Sequence, residues 1–197
     1  MEFKQKRATI ISIGLIGILL LASPTIALFI KMPASQHFSD LYILGSNHTF
    51  DGIPFNIIAG QTYSLYLGVG NHMGSSEYYT CVVKMGNESA SPPNSTLKTV
   101  SPLPALYDYK TFVTDGATYE APLTFQVDQI TFNDSMSQLS SIAINGIEYS
   151  TNLYSAWNSN RTGYYYNLFV ELSTYNSTLS TTQYNDRYVR LILNMTQ

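Results

Sequence analysis

The sequence predicts an all-β ectodomain, an immunoglobulin-like antiparallel β-sandwich, preceded by one N-terminal transmembrane helix. Three observations lead to this prediction. A long uncharged apolar run lies within the first thirty residues. The rest of the chain alternates short Tyr-, Val-, Ile- and Leu-rich stretches with Gly, Asn, Ser and Pro clusters, and no sustained 3.6-residue apolar period follows residue 31.

The N-terminus predicts a membrane anchor. Residues 1–7 form a basic leader, and residues 8–30 follow without a charge. Twenty-three helical residues cover about 34 Å, which is enough to cross a hydrocarbon core of about 30 Å. The basic leader favours an inside N-terminus, so residues 31–37 form a linker and residues 38–197 an extracytoplasmic domain. The expected location is the cell membrane, single-pass, with the C-terminal domain outside and the lipid bilayer as partner of residues 8–30.

Two alternatives for this segment stay open. The first alternative is a cleaved secretory signal with T-I-A at residues 25–27 as the processing site. The stretch "KRATIISIGLIG" also looks like an archaeal type IV prepilin leader, which is cut just before a hydrophobic helix that packs inside a filament. In that case the mature chain would begin at Ala8 or Thr9.

Eight strand candidates follow in the ectodomain, since apolar residues recur at alternate positions. In the second candidate Tyr63, Leu65, Leu67 and Val69 share one face, and Cys81 faces the core in the third. An Asn-Gly pair at 145–146 signals a hairpin. The candidates are 40–45, 62–69, 77–85, 106–113, 123–132, 141–149, 164–175 and 187–195.

N-linked glycosylation motifs give a second, independent indication that the domain lies outside. Seven of the fourteen asparagines begin an N-x-S/T sequon, and none of the seven has proline in the middle position. Glycans are bulky and solvated, so these asparagines are expected on exposed loops or outward strand positions, with N-linked glycans as partners. The candidates are Asn47, Asn87, Asn94, Asn133, Asn160, Asn176 and Asn194.

Several segments resemble a known family. They are "FSDLYILGSN" (38–47), "FNIIAGQTYSLYLGVGNHMGSSEYYTCVVKMGN" (55–87), "YYYNLFVELSTYN" (164–176) and "DRYVRLILNMT" (186–196). They are similar to archaeal predicted membrane proteins of domain-of-unknown-function family 1616, whose pattern includes a Y-I-L-G strand and a strand that ends in a V-x-N-H step. The single N-terminal span departs from several relatives, which resemble multi-span proteins. The resemblance implies an extracytoplasmic β-sandwich on a membrane anchor, and it brings no activity and no catalytic residues.

The stretch "YLGVGNHMGSSEYYTC" at 66–81 raises the question of a copper site, because it contains histidine, methionine and cysteine. The order of ligands is wrong for blue copper, since no histidine follows Cys81. We therefore predict no metal site and no cofactor. Gly68 and Gly70 are expected to loosen the end of one strand, residues 71–76 to turn the chain, and His72 to lie at the rim of that connection.

Catalysis has little support in the sequence. His48 with Asp51 lacks the G-x-S-x-G motif of a hydrolase, and the order of elements is not α/β. The carboxylate pairs 108/115 and 171/186 could serve glycoside hydrolysis, but isolated surface carboxylates are far commoner on a sandwich. The sixteen tyrosines could contact sugars, although β-propensity explains most of them. We expect that the protein is not an enzyme.

Composition limits the remaining function classes. The apolar fraction is 45% and the charged fraction 12%, and the residues after Lys31 carry twelve acidic against six basic side chains. A balance of −6 argues against nucleic acid as a partner. Two hypotheses remain. The chain is a membrane-anchored envelope module that binds a protein or glycan, or serves as an accessory subunit of a membrane assembly; or it is a pilin-like or archaellin-like filament subunit with residues 8–30 as the core helix.

Overall fold

A computed structural model of the protein describes residues 5–7, 13 and 37–196. The chain divides into two compact units, Met1–Gln36 and His37–Gln197. In the first unit the described residues 5–7 and 13 are helical. No helix among the described residues is long and apolar enough to cross a membrane. The predicted span 8–30, apart from Ile13, and the linker 31–37, apart from His37, lie outside the described residues.

The second unit is all-β, as predicted from its alternating pattern. Its described residues form ten strands, two more than the sequence predicts. The strands are β1 (Phe38–Gly45), β2 (Asn56–Ile58), β3 (Thr62–His72), β4 (Glu77–Asn87), β5 (Ala105–Val113), β6 (Thr118–Phe132), β7 (Met136–Ile144), β8 (Ile147–Asn158), β9 (Gly163–Asn176) and β10 (Thr181–Thr196).

The sixth predicted strand, 141–149, is wrong as a single element. It contains the end of β7, a two-residue turn and the start of β8. Asn145 and Gly146 have φ angles of 49° and 77°, as the hairpin turn signalled by this pair requires. The three-residue strand β2 was missed, because three residues are too few to show an alternating pattern.

The strands form one continuous curled sheet in the order β1-β3-β6-β7-β8-β9-β10-β2, with β4 paired to β9 and β5 paired to β4. The ladders are antiparallel except between β10 and β2, which run parallel. Between β8 and β9 only two residue pairs connect the strands, at Trp157 with Tyr164 and at Asn158 with Gly163. The sheet therefore consists of two halves with a narrow junction.

Side chains from both halves meet in one apolar core, so the fold is β-sandwich-like. Leu65, Leu67 and Val69 of β3 are 1% exposed or less, and Cys81 and Val83 of β4 are equally buried. The face assignments made for β3 and β4 from alternation are confirmed. We call the half β1-β3-β6-β7-β8 the first layer and the half β5-β4-β9-β10-β2 the second layer.

The register of the ladders defines two ends of this domain. We call the end with His37 and the loops 73–76, 114–117 and 177–180 the proximal end. The opposite end carries the loops 133–135 and 159–162, and we call it the distal end. The loop 46–55 leaves β1 near the middle of the first layer and runs to β2 at the distal end. A seventeen-residue connection, 88–104, joins β4 to β5. We call it the strap.

Candidate functional site: the proximal end and the exposed sequons

The buried side chain of Asn71 organises the proximal end. Its Nδ2 donates hydrogen bonds to the carbonyl oxygens of Ser75, at 2.8 Å, and of Val113, at 2.7 Å. Its Oδ1 accepts from the backbone N–H of Met73, at 3.0 Å, and from the hydroxyl of Tyr79, at 3.1 Å. One fully buried amide thus connects the β3–β4 loop with the end of β5.

The turn predicted at residues 71–76 is longer than the loop in the structure. Strand β3 continues to His72, so the loop contains only residues 73–76. Gly68 lies inside the strand, where a Cβ would come within 2.1 Å of the ring of Tyr42. Its role is therefore to admit that ring and not to loosen the strand.

The apparent copper ligands are divided between the core and the surface. Cys81 and Met85 face the core, and burial raises the pKa of the Cys81 thiol to about 12. His72 lies at the end of β3, as expected, 3.4 Å from a carboxylate oxygen of Asp40 and stacked on Phe38. Among the described residues, no group of three His, Cys, Asp or Glu side chains is arranged to hold a metal ion.

An exposed aromatic surface lies beside the proximal loops on the outer face of the second layer. It consists of Tyr78, Phe112 and Tyr175, from β4, β5 and β9. The rings of Tyr78 and Phe112 are 4.7 Å apart, and Phe112 is 75% exposed. Together with residues 75–77 and Ser177 they line an open cavity of about 620 Å³. We call these three residues the proximal aromatic surface.

Four of the seven sequon asparagines are exposed. Asn133 and Asn160 lie in loops or turns at the distal end, Asn47 lies in the turn that follows β1, and Asn94 lies on the strap. The Oδ1 of Asn94 accepts from the backbone of Leu97, and the Oδ1 of Asn133 accepts from the backbone of residues 135 and 136. These bonds use the amide oxygen and orient Nδ2, the atom that a glycan would modify, away from them.

The other three sequon asparagines are half-buried, and each uses its Nδ2 inside the protein. Asn87 donates to the carbonyl oxygen of Tyr154 at 2.8 Å, and Asn176 donates to Oε1 of Gln183 at 3.0 Å. Asn194 donates to Oδ1 of Asn56 at 2.9 Å. A glycan on any of them would replace an internal hydrogen-bond donor with a bulky solvated group.

A buried ion pair fixes the strap to the outer face of the second layer. Nζ of Lys84 lies 2.9 Å from Oε2 of Glu171 and donates to the carbonyl oxygen of Ser101 at 2.9 Å. Oε1 of Glu171 accepts from both the backbone N–H and the hydroxyl of Ser101, at 3.1 Å and 2.5 Å. Glu171 is 1% exposed, so the expectation of a surface carboxylate is wrong at this position.

The other residues weighed for catalysis have separate structural partners. Nδ1 of His48 lies 2.9 Å from Glu120, which also accepts from the hydroxyl of Tyr42. The remaining carboxylates have different partners: Asp108 pairs with Lys110, Asp115 accepts from the backbone of Gly74, and Asp186 pairs with Lys98. No contact between the members of either predicted carboxylate pair is present among these bonds.

Sequence reasoning missed three features of these sites. Asn71 was read only as part of a turn, although it stands in the V-x-N-H step of the family pattern. The proximal aromatic surface joins residues from three strands, so no local pattern could reveal it. The strap contacts also join distant residues, since Ser101 and Glu171 are 70 positions apart in the sequence. Its length beyond about 12–15 residues is the one signal that could have directed attention to it.

The fold and these features define an all-β domain with a sandwich-like core and a surface that carries sequons. Residues 33–139, more than half of the chain, match the family described as Domain of unknown function (DUF1616). The chain belongs to this family, which confirms the resemblance found in its sequence. No curated protein matches the chain.

Solved structures share only a distant likeness with the chain. A beta-glucosidase from Listeria innocua in complex with glucose aligns with 84% of this chain at 9% identity and a TM-score of 0.41, and the chain spans 17% of that enzyme. A chain of the complex between Zinc 2-glycoprotein and Prolactin inducible protein from human seminal plasma aligns with 84% of this chain and over all of its own length, at 7% identity and a TM-score of 0.40. A cohesin module from the Clostridium perfringens ATCC13124 family 33 glycoside hydrolase gives 13% identity and a TM-score of 0.27, covering 81% of this chain and 98% of its own. Likeness at this level implies no shared activity.

Proposed function

We propose that the protein is a membrane-anchored, N-glycosylated cell-surface domain. In this proposal residues 8–30 cross the bilayer with the N-terminus inside, and the β domain serves as a binding or structural module of the envelope or as an accessory subunit of a membrane assembly. The role involves no catalysis, cofactor or metal. The basic leader, the apolar run and the sequons support it, since each would independently place the domain outside.

The exposure of four sequon asparagines is the observation that carries the proposal. Asn133 and Asn160 lie at the distal end, Asn47 lies in the turn that follows β1, and Asn94 lies on the strap. The other three sequon asparagines use Nδ2 in hydrogen bonds inside the protein. A glycan at any of the four exposed positions would extend into solvent without replacing one of these bonds.

We further propose an immunoglobulin-like assignment of the strands. In that fold the first and second strands pair in one sheet with the fifth, and the third, sixth and seventh form the other sheet. Here β1, β3 and β6 pair in one layer, and β4, β9 and β10 pair in the other. The β7–β8 hairpin would then be an insertion, and β5 would extend the second layer at its edge.

Glycopeptide mass spectrometry of the protein from its native membrane tests the glycan part of the proposal. We expect glycans at Asn47, Asn94, Asn133 and Asn160. A single Asn-to-Gln change at any of the four should lower the mass by one glycan. The same change at Asn87, Asn176 or Asn194 is the matched control and should leave the glycan mass unchanged. A chain without any glycan would contradict the proposed surface glycoprotein.

The anchor is tested separately from the glycans. We expect an intact N-terminus and retention in the membrane fraction after a carbonate wash. A mature chain that begins at Ala8 or Thr9, recovered in sheared filaments, would instead support the filament subunit. Release into the wash with an N-terminus near residue 28 would support the cleaved signal.

A further inference from the structure

We propose that the pocket between β8 and the start of the strap binds a neutral sugar residue. We call it the junction pocket, and residues 87–89 and 154–157 line it. The inference rests on the proposed function, because it names a ligand class for a binding module that lies outside the membrane. The sugar belongs either to a glycan of another molecule or to the glycan expected at Asn160, and one variant separates these two sources.

The junction pocket lies where the end of β4 approaches β8. Nδ2 of Asn87 donates to the carbonyl oxygen of Tyr154 at 2.8 Å and holds the two strands together beside the pocket. β8 and β9 share only the residue pairs 157/164 and 158/163, so β9 does not cover the edge of β8 before residue 157. The cavity has a volume of about 320 Å³. This is the lower end of the range for small-molecule sites, about 300–1,000 Å³, and suits a ligand of one or two rings.

Two exposed aromatic side chains form one wall of the junction pocket. Tyr154 is 43% exposed and Trp157 is 46% exposed. The ring of Trp157 makes an edge contact with Tyr164, with 5.1 Å between the ring centres, which fixes it while nearly half of its surface stays open. The hydroxyl of Tyr154 and Nε1 of Trp157 donate to no described residue, so both donors are available to a ligand. A sugar presents C–H groups on its faces and hydroxyls on its rim, and this wall offers partners to both.

A second wall of the pocket is polar but carries no net charge. Glu88 is the one carboxylate among the described residues that line it, and its two oxygens accept from Nδ2 of Asn158 at 2.9 Å and 3.1 Å. The guanidinium of Arg161 donates to the same carboxylate at 2.6 Å and balances its charge. The carboxylate retains room for about one further donor, and the hydroxyl oxygen of Ser89, which donates to Asn87, can still accept. Acceptors without a net charge favour a neutral ligand over an ionic one.

An exposed sequon lies next to this polar wall. Oδ1 of Asn158 accepts from the backbone N–H of Asn160 at 3.1 Å, while its Nδ2 binds Glu88. A glycan at Asn160 would therefore begin within reach of the pocket. Asn87 is also a sequon asparagine, but its Nδ2 is bonded inside the protein, so we expect no glycan to start from the pocket wall. The glycan at Asn160 is thus either the ligand or a neighbour that an incoming sugar must pass.

The proximal aromatic surface fits a neutral sugar less well. Phe112, its most exposed ring, has no hydrogen-bonding group, and Glu77 in the adjoining cavity is paired with no cation among the described residues. Tyr175 of this surface is 45% exposed, nearly the same as Tyr154. It therefore provides a matched control outside the junction pocket.

The fluorescence of Trp157 reports directly on the pocket, because it is the single tryptophan of the chain. The full-length protein and its Asn160→Gln variant are kept in a detergent without a sugar headgroup and titrated with the methyl glycosides of glucose, galactose, mannose and N-acetylglucosamine. We expect at least one of these sugars to give a saturable change in emission with a Kd of about 1–10 mM, the value for a ligand of about a dozen atoms at ordinary efficiency. Sorbitol at equal concentration is the solvent control and should give no saturable change.

Further variants locate the sugar and identify its source. Tyr154→Ala should weaken the Kd about tenfold, because it removes one ring of the pocket. Tyr154→Phe keeps the ring and should weaken the Kd less, and Tyr175→Ala should leave it unchanged. A response in the wild type and in Asn160→Gln alike assigns the ligand to the glycan of another molecule. A response in Asn160→Gln alone shows that the protein's own glycan fills the pocket.

Three results would overturn the inference. They are the absence of a saturable response in both the wild type and Asn160→Gln, an unchanged Kd in Tyr154→Ala, and tighter binding of glucuronate than of methyl glucoside. The second would place the binding elsewhere, and the third would make the ligand an anion. None of them bears on the proposed glycans or anchor. A chain without any glycan would in turn contradict the proposed surface glycoprotein and leave the response to added sugar as it is.

Discussion

Asn71 shows how one buried amide can fix three chain segments. Both of its Nδ2 hydrogens and its Oδ1 are satisfied within the protein, and Tyr79, one of its partners, also shares a hydrogen bond with Ser39 of β1. Backbone bonds run in both directions between Asn71 and the 114–117 loop. Fully satisfied buried polar groups of this kind specify one arrangement of the surrounding chain. Burial raises the pKa of Tyr79, so its hydroxyl stays protonated and can donate.

We predict that Asn71→Ala destabilises the domain by about 3 kcal/mol, because four hydrogen bonds are lost and their buried partners are left unsatisfied. Urea denaturation, followed by circular dichroism, measures this change in the free energy of unfolding. Asn152→Ala on the exposed face of β8 is the matched control, since its one side-chain bond to Gln138 is exposed, and it should cost under about 0.5 kcal/mol. Equal costs for the two variants would show that Asn71 does not organise the proximal end.

The V-x-N-H step contains Asn71, but the sequence placed this residue in a turn, whereas it lies in β3, and did not reveal its role. Its main partners are the carbonyl oxygen of Val113, 42 residues away, and the β3–β4 loop, which was predicted as a longer turn. Such partners depend on tertiary pairing of β4 with β5, which no local pattern contains. His72 was more accessible to prediction, because a polar residue at the end of an alternating strand lies near its rim.

The strap is held by polar contacts and by the close packing of two of its side chains on Gly86. Gly86 in β4 faces it, and a Cβ there would lie 2.6 Å from Cβ of Ala90 and 2.9 Å from a side-chain carbon of Leu103. Further along, Nζ of Lys98 lies 3.3 Å from Asp186, and the hydroxyl of Ser95 donates to the backbone of Asp186. The strap thus covers part of the outer face that an ordinary sandwich leaves to solvent.

We predict that Lys84→Met loosens the strap and destabilises the domain by about 3–5 kcal/mol, because it leaves the buried carboxylate of Glu171 without its cation. Urea denaturation gives the energy, and the rate of proteolysis within 88–104 reports on the strap. The matched control is Lys98→Met, which removes an exposed ion pair and should cost under about 1 kcal/mol. The double variant Lys84→Met with Glu171→Leu should recover most of the loss.

A loss from Lys84→Met no larger than that from Lys98→Met would contradict this role of the ion pair. Increased proteolysis without any loss of stability would instead show that the pair orders the strap alone. Either result can be interpreted, because neither variant changes a core side chain of β4.

At the scale of the molecule, the alternating pattern was enough to predict the all-β class and most of the long strands. It succeeds because each layer buries one face, so apolar residues that face the core recur at every second position of β3 and β4. It fails where side chains of both faces are buried. In β9 the run Tyr164 to Ser173 is buried on both sides, and the sequence shows no alternation there. The strap covers the outer face at Glu171. Glu171 was therefore misplaced on the surface.

Alkaline pH should destabilise the domain in two steps, because burial raises the pKa of both Cys81 and Tyr109 to about 12. In the unfolded chain the thiol ionises near 8.5 and the phenol near 10. A group whose pKa is higher in the folded state stabilises that state below its unfolded pKa, and the contribution falls as pH rises towards the folded value. Each unit of difference corresponds to about 1.4 kcal/mol.

We therefore expect the free energy of unfolding to fall between about pH 8.5 and 10 through Cys81 alone, and more steeply up to about pH 12 once Tyr109 contributes. Urea titrations at pH 8, 9, 10 and 11 measure both slopes. Cys81→Ala should remove the first decline and keep the second, whatever its own cost at pH 8. Tyr109→Phe should reduce the second and keep the first. An unchanged slope below pH 10 in Cys81→Ala would mean that the thiol is not protected by the core that both layers share.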